Sequence, residues 1–565
     1  MRMLAPFLLV SLVACDQGPG PGPGPDDDDD DLPSPTAVYL TPPQHLTRAS
    51  IAIRGMRPSV ADLEAVDADP GALPAIIDRY LTSPQFAATM RELHNETLLM
   101  RLEQPAFTYP AMGPLATATA RQINSIFEEP LRLIEDVVMT DKPYTTIVTA
   151  AYTMANTAVA DVWGLPPVAS YDTWQKRQYA ADRRGSGVLG MDVFYNRYRS
   201  AGFNYHRGRA NTISRAFLCH DFLDSDIVLD TTIDLADPDV VANAVIANKS
   251  CAGCHQTLDP LASYLFTWRN TLGPVAVDGY PVTYFTPATS ERWRTATKRS
   301  PMFFGAQATG MNGLGRVIAD DPRFARCTAQ RFASYLTEVP LNELSAAWVA
   351  KLQKDLVDSG WNAKALVKAI VLSDRFRISH DTDEAQADSL VAALKVRPEQ
   401  MARMIRDLTG FDWTVTSPRA LRGIPYGTAN LLDSDFLGYR VLFGGIDSYF
   451  VTDPVHTMNA TSSLVGKKLT ALAAEFVVQH DSTAPLAERT LFTEAAVAAT
   501  DPSVIRAQVA HLHARIYGEL VAADSPEVDE TYVLYEEAFA ASNDRARAWE
   551  LTLIGMLSDF RSLFY

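Results

Sequence analysis

From about residue 45 onward, apolar positions recur with a period near 3.6 in most windows, the pattern of helices that bury one face. Ser59-Val60-Ala61-Asp62-Leu63-Glu64 opens one such helix, with Ser59 and Asp62 at the spacing of a capping box. The period predicts another helix over residues 73–81. Thr82-Ser83-Pro84 stops it and starts the next, over 85–100. Strict alternation is rare. It is clearest in Val275-Ala276-Val277-Asp278-Gly279-Tyr280-Pro281-Val282-Thr283-Tyr284-Phe285, where Asp278-Gly279 separates two alternating runs. A small hairpin is expected there, with Pro281 confining its strand to an edge. The fold class expected is mainly α and multi-helical, with a small β-hairpin insertion.

Three stretches share one design. Ile77–Phe86, Val367–Phe376 and Leu553–Phe560 each run from an apolar helix into Ser followed by Pro or Asp, with Phe close behind. They read as a helix-pair unit used three times, Ser83, Ser373 and Ser558 serving as helix stop or N-cap. Their irregular spacing argues against a solenoid.

The first 44 residues follow other rules. Met1–Ala14, MRMLAPFLLVSLVA, has one Arg, an apolar stretch and small residues. It is too short to span a bilayer and fits a secretory signal peptide. Leu12-Val13-Ala14-Cys15 resembles a bacterial lipobox, which makes Cys15 the expected site of lipidation and a membrane anchor. Residues 15–44 are rich in Gly, Pro and Asp, cannot bury a core, and are expected to form a disordered tether. No later segment is apolar and long enough for a transmembrane helix. The expected location is the bacterial cell envelope, lipid-anchored, on the periplasmic or cell-surface side.

Composition narrows the partners. The 565 residues include 67 acidic and 50 basic ones, a formal charge of −17, with six acids in the run Asp26–Asp31. An acidic surface repels phosphate backbones, so no nucleic-acid partner is expected. Five cysteines are too few for a disulfide-built scaffold.

Three of those cysteines are spoken for. Besides Cys15 there is Cys251-Ala252-Gly253-Cys254-His255, a C-x-x-C-H run. Two thiols at this spacing add to the vinyl groups of one haem, and the adjacent imidazole reaches the iron as proximal ligand. A zinc site would need a second Cys or His pair nearby, and the next candidates are Cys327 and His380. A redox dithiol would need a βαβ context, which is absent. One covalent haem c is therefore expected on Cys251, Cys254 and His255. The remaining thiols, Cys219 and Cys327, flank the motif. In an oxidising compartment they are expected to pair, two buried free thiols being the alternative.

A Met thioether would complete a six-coordinate iron suited to electron transfer. Met311, in Thr309-Gly310-Met311-Asn312-Gly313, and Met302, in Ser300-Pro301-Met302-Phe303, are the candidates. His220, His206 and an open distal site stay as alternatives, and core packing is the ordinary role of any Met. Tyr264, Phe266, Trp268, Phe303 and Phe304 could wall a porphyrin or simply pack a core. Arg209, Arg269 and Lys298 could meet propionates, solvated surface being their ordinary role.

The segment Asn248–Leu261, with Asp259-Pro260 following the motif, resembles the haem segment of planctomycete-type cytochrome c proteins and their associated helical domains of unknown function. The resemblance runs upstream through Arg184–Gly190, His206-Arg207-Gly208-Arg209 and Leu218-Cys219. Downstream it runs through Asp321–Cys327 to Leu372–Phe376. It covers residues 180–380 best, with looser likeness at Ile53–Pro58 and Trp549–Tyr565. It implies an exported haem protein with helical flanks and no known substrate. The expected organisation is a leader (1–14), a tether (15–44), an N-terminal helical domain (45–180), a cytochrome-c-like haem domain (181–380) and a C-terminal helical domain (381–565).

No phosphate loop, G-x-S-x-G or H-E-x-x-H occurs. His511-Leu512-His513 is read as solvent-facing or capping, and nothing singles out a carboxylate dyad. The expected function is one-electron transfer in the cell envelope, with a redox protein as possible partner. A haem enzyme with an open distal side and a binding lipoprotein with a vestigial haem are the alternatives.

Overall fold

Side-chain caps start several of the helices. Ser59 accepts a hydrogen bond from the Asp62 N–H and starts helix Val60–Ala68. Helix Leu73–Tyr80 follows, and Ser83 accepts from the Phe86 N–H to start helix Pro84–Leu98. Ser373 makes the same bond with the Phe376 N–H. The third of the similar stretches differs. Its cap moves to Asp559, which accepts from the Arg561 N–H, while the Ser558 hydroxyl meets Thr470 Oγ1 at 2.8 Å.

The computed structural model describes residues 36–180, 183–224, 230–234, 236–270, 277–383 and 393–565. The expected leader, Cys15 and the tether up to residue 35 lie outside the described residues. The last part of the expected tether is built into the fold. Ala37–Tyr39 is a strand paired antiparallel with Ile378–Asp381, and a helix begins at Pro42. Among the described residues no helix is long and apolar enough to cross a membrane.

The chain is mainly helical, and its described sheets are two-stranded. The longest hairpin pairs Thr414–Leu421 with Ile424–Asn430 across Arg422-Gly423, both at positive φ (54° and 82°). The expected hairpin at 275–285 is placed differently. Residues 275 and 276 lie outside the described residues, and no strand forms over 277–285. Instead the Val282 N–H donates to the Val162 carbonyl at 2.8 Å, and Phe285 bridges to Trp268. The aromatics decide this. Tyr284 is 1% exposed and its hydroxyl meets that of Tyr109 at 3.0 Å, so this run is drawn into the core rather than onto a neighbouring strand.

Two apolar clusters hold the molecule. One runs from Leu46 to Phe376, across residue 180, and takes in Leu421–Ala429 of the hairpin. The other runs from Val396 to Leu557. Buried arginines tie distant segments together. Arg48 donates to the Phe376 and Ile378 carbonyls at 2.9 and 2.7 Å, and Arg57 to the Tyr517 carbonyl at 3.0 Å. Two glycines permit a close backbone crossing in the first cluster. A Cβ on Gly187 would stand 2.0 Å from the Ile147 carbonyl oxygen, and one on Gly315 would stand 2.1 Å from that of Val148. No larger residue fits either place.

His511 and His513 are not solvent-facing. His513 is 1% exposed and its Nε2 lies 2.9 Å from Thr531 Oγ1; His511 Nε2 lies 3.2 Å from Thr493 Oγ1. The helix Pro502–Leu512 continues into a wider π turn at His513–Tyr517, which rotates the faces that a regular helix would present.

Candidate functional site

The C-x-x-C-H run lies in the first half of helix Lys249–Ser263. Asn248 caps it, its Oδ1 accepting from the Ser250 and Cys251 N–H groups at 3.0 and 3.4 Å. Helical spacing does the rest. Cys251, Cys254 and His255 stand at i, i+3 and i+4 and share one face. Both thiols are free and half-buried.

His255 is held from behind. Its Nδ1 lies 2.9 Å from Asp259 Oδ1, one helical turn on. Among the described residues its Nε2 has no hydrogen-bond partner. Asp259 is fully buried, and the Arg207 guanidinium grips it with both arms, Nε to Oδ1 at 2.6 Å and Nη2 to Oδ2 at 2.9 Å. Burial alone would raise the Asp259 carboxyl. The bonds from His255 and Arg207 outweigh it and hold the carboxyl below the usual range. Arg207 opens helix Arg207–Leu218, so this triad also clasps two helices.

The far end of that second helix is fixed covalently. Cys219 and Cys327 are joined as a disulfide, linking it to helix Pro322–Thr337. A loop is tied along the second half of the motif helix. Ser263 Oγ meets Thr297 Oγ1 at 2.7 Å and the Arg299 carbonyl at 2.8 Å, and the Met302 N–H donates to the Pro260 carbonyl at 3.3 Å. Met302 is half-buried on this loop. Met311, in the first turn of helix Gly310–Ala319, is 3% exposed and belongs to the apolar core.

The histidine alternatives differ in the same way. His206 is 1% exposed beside Arg209 Nη1 at 2.9 Å, and burial followed by that guanidinium lowers its pKa to about 3. It is a neutral core histidine. The half-buried His220 ring lies against two aromatic rings, Phe222 at 4.7 Å and Phe304 at 5.8 Å. Phe304 lies two residues beyond Met302, so His220 and the Met302 loop meet at one aromatic cluster, over which Arg323 sits 4.0 Å from the Phe304 ring.

The other aromatics are occupied. Trp268 stacks on Tyr195 at 3.8 Å, and Tyr264 donates to the Ala308 carbonyl at 3.0 Å. Arg209 is not solvated: it is 1% exposed and donates to the Tyr198 and Tyr195 carbonyls. Arg269 and Lys298 are exposed. Among the described residues no group of three His, Cys, Asp or Glu side chains is placed to hold a bare metal ion.

Sequence reasoning left Asp259 without a role. Its i+4 spacing from His255 was the available signal. Arg207 had no such signal, because only the packing of two helices brings it there.

A family model described as a protein of unknown function (DUF1585), a domain family associated with cytochrome c-containing proteins, matches residues 305–376. The match includes Met311, Cys327 and Ser373 and begins beyond the Cys251–His255 motif. No curated protein and no solved structure matches the chain.

Proposed function

We propose that this chain is an exported, lipid-anchored monohaem c-type cytochrome that passes single electrons in the cell envelope. The observation that carries the reading is the motif helix: two free thiols and an imidazole with an unpartnered Nε2 share one face. These residues fit a covalent haem, which Cys251 and Cys254 would hold as thioethers and whose iron His255 would ligate. Bound there, a haem supplies a one-electron iron couple. The Asp259 carboxylate accepts a hydrogen bond from the His255 Nδ1–H, which sets the tautomer, leaves Nε2 as the lone-pair atom and stiffens the ring's orientation. Arg207 keeps Asp259 ionised and in place. Export into an oxidising compartment accords with the Cys219–Cys327 bond. The expected leader and Cys15 supply the route and the anchor. Met302 and Met311 remain the proposed distal ligands, Met302 being the one whose own backbone is tied to the motif helix.

The test is expression with a c-haem maturation system, followed by pyridine haemochrome and CO titration. A c-type haemochrome whose reduced form ignores CO supports electron transfer. Ready CO binding would move the reading to an enzyme or sensor with an open distal side, and absence of haem would end it. Cys251→Ala with Cys254→Ala should abolish covalent haem. Asp259→Asn should raise the midpoint potential, because an amide no longer increases the basicity of the imidazole ligand.

A further inference from the structure

A second site owes nothing to the haem motif. A cleft of about 900 Å3 lies among helices Pro84–Leu98, Ala120–Asn124 and Pro398–Thr409, residues 171–174 and the strand Ile424–Asn430. That is the size of a small-molecule site. Its wall is crowded with charge, yet the charges answer one another. Arg403 grips Glu92 through both arms at 2.6 and 2.8 Å. Arg440 lies between Glu399 at 2.6 Å and Asp435 at 3.2 Å. Arg101 pairs with Glu128, and Arg91 and Arg132 share Glu135, each at 3.0 Å. The Glu103 carboxylate accepts from the Tyr426 and Ser434 hydroxyls and the Asp435 N–H. What is left over is exposed and of both signs: Arg121, Asp172 and Asp433. Such a wall selects neither an anion nor a cation.

The wall also holds polar atoms with nothing to bond. Asn124 is 8% exposed, and among the described residues neither its buried Oδ1 nor its buried Nδ2 has a hydrogen-bond partner. Asp435, its side chain 5% exposed, has an equally unpartnered Oδ1. A buried amide left unsatisfied at both ends is costly, and it calls for a ligand group that both donates and accepts. A hydroxyl does this. Burial raises the Asp435 carboxyl to about 7, so near neutral pH it too can donate or accept. The same cleft is lined by the half-buried rings of Tyr171 and Trp174, the latter with the Arg132 guanidinium 5.2 Å over its ring, which leaves aromatic surface against which a C–H face can lie.

Uncharged hydroxyls on one edge and an apolar C–H face on the other describe a sugar ring. We propose that this cleft binds a short neutral oligosaccharide, with Asn124 and Asp435 hydrogen-bonding its hydroxyls and Tyr171 and Trp174 stacking against a ring.

The test is isothermal titration calorimetry of the full chain. The probes are cello-, malto-, xylo- and chitohexaose, with trigalacturonate and glucosamine trimer as charged controls. Saturable binding of at least one neutral probe is expected, weakened tenfold or more by Asn124→Ala and by Trp174→Ala. Circular dichroism checks that each variant folds; should Asn124→Ala fail, Trp174→Ala alone decides. No binding by any neutral probe, stronger binding of a charged control, or affinity unchanged in the folded variants would each overturn the proposal. The outcome does not depend on haem, so it stands or falls apart from the electron-transfer reading.

Discussion

The motif helix and the charged cleft are built in opposite ways. The helix gathers Cys251, Cys254, His255 and Asp259 within three turns of one chain segment, and only Arg207 comes from elsewhere. The cleft mixes local pairs, such as Arg132 with Glu135, with pairs remote in sequence: Glu92 and Arg403 are 311 positions apart, Glu103 and Tyr426 323. Covalent attachment of a rigid cofactor fixes a spacing along the chain. A binding wall needs its groups only in space, and any fold that brings them together will do. The first kind of site leaves a motif; the second leaves buried charge whose purpose shows only once the partners are seen.

Each region rests on a different kind of bond, so they should fail differently. The largest effect is expected on the motif side. Cys219→Ser with Cys327→Ser opens a loop spanning 108 positions, and chain-entropy models put the loss at about 4–5 kcal/mol. Urea unfolding of oxidised protein and double variant measures it. A loss below about 1 kcal/mol would mean that the packing of helices Arg207–Leu218 and Pro322–Thr337 suffices alone. On the cleft side, Arg403→Leu leaves the Glu92 carboxylate buried without its counter-charge, a loss of about 3–5 kcal/mol. Adding Glu92→Leu should recover most of it. If the double variant is no better than the single one, the pair is not the unit that holds the wall.

Acidity should probe the cleft, through Asp435, and a buried carboxyl outside both regions, Glu129. Burial lifts Asp435 to about 7 and Glu129, which accepts from the Thr153 and Tyr179 hydroxyls, to about 8. Both folded values exceed the unfolded ones, so the native state holds extra protons between them. That contribution is complete below about pH 4 and is lost as pH rises through 7 to 8. Stability should therefore fall by a few kcal/mol between pH 5 and pH 9. Asp435→Asn should flatten the lower part of that slope and Glu129→Gln the upper. A slope unchanged in both variants would show that neither carboxyl is protonated in the native state.

How much of this was legible follows from the same contrast. Helix starts at Ser59 and Ser83 were readable because a cap acts on its own N–H groups a few residues away. The C-x-x-C-H motif was readable because its three groups lie within five consecutive residues, while the helix that puts them on one face shows only in the fold. Alternation in Val275–Phe285 suits a strand, yet residues 277–285 form none, because the burial of Tyr284 against Tyr109 depends on chain 175 positions distant. Arg209 was misjudged for a like reason: its acceptors are main-chain carbonyls, which carry no signal in sequence. Asn124 could not be found at all, since a buried amide is conspicuous only by the partners that it lacks.

The smallest effect probes where local reading stops. Ser83, Ser373 and Ser558 occupy the same place in three similar stretches, yet only the first two cap a helix. Ser83→Ala and Ser373→Ala should each cost about 1 kcal/mol, the ordinary loss when a capping hydroxyl is removed. Ser558→Ala should cost less, because Asp559 does the capping there and only the bond to Thr470 is lost. Asp559→Ala should then behave as the other two serines do. Thermal unfolding of the four variants ranks them. Equal losses at all three serines would mean that the Thr470 bond matters as much as a cap. A lesser loss at Ser558 means that one residue pattern serves two jobs, and that the deciding atom lies on another helix.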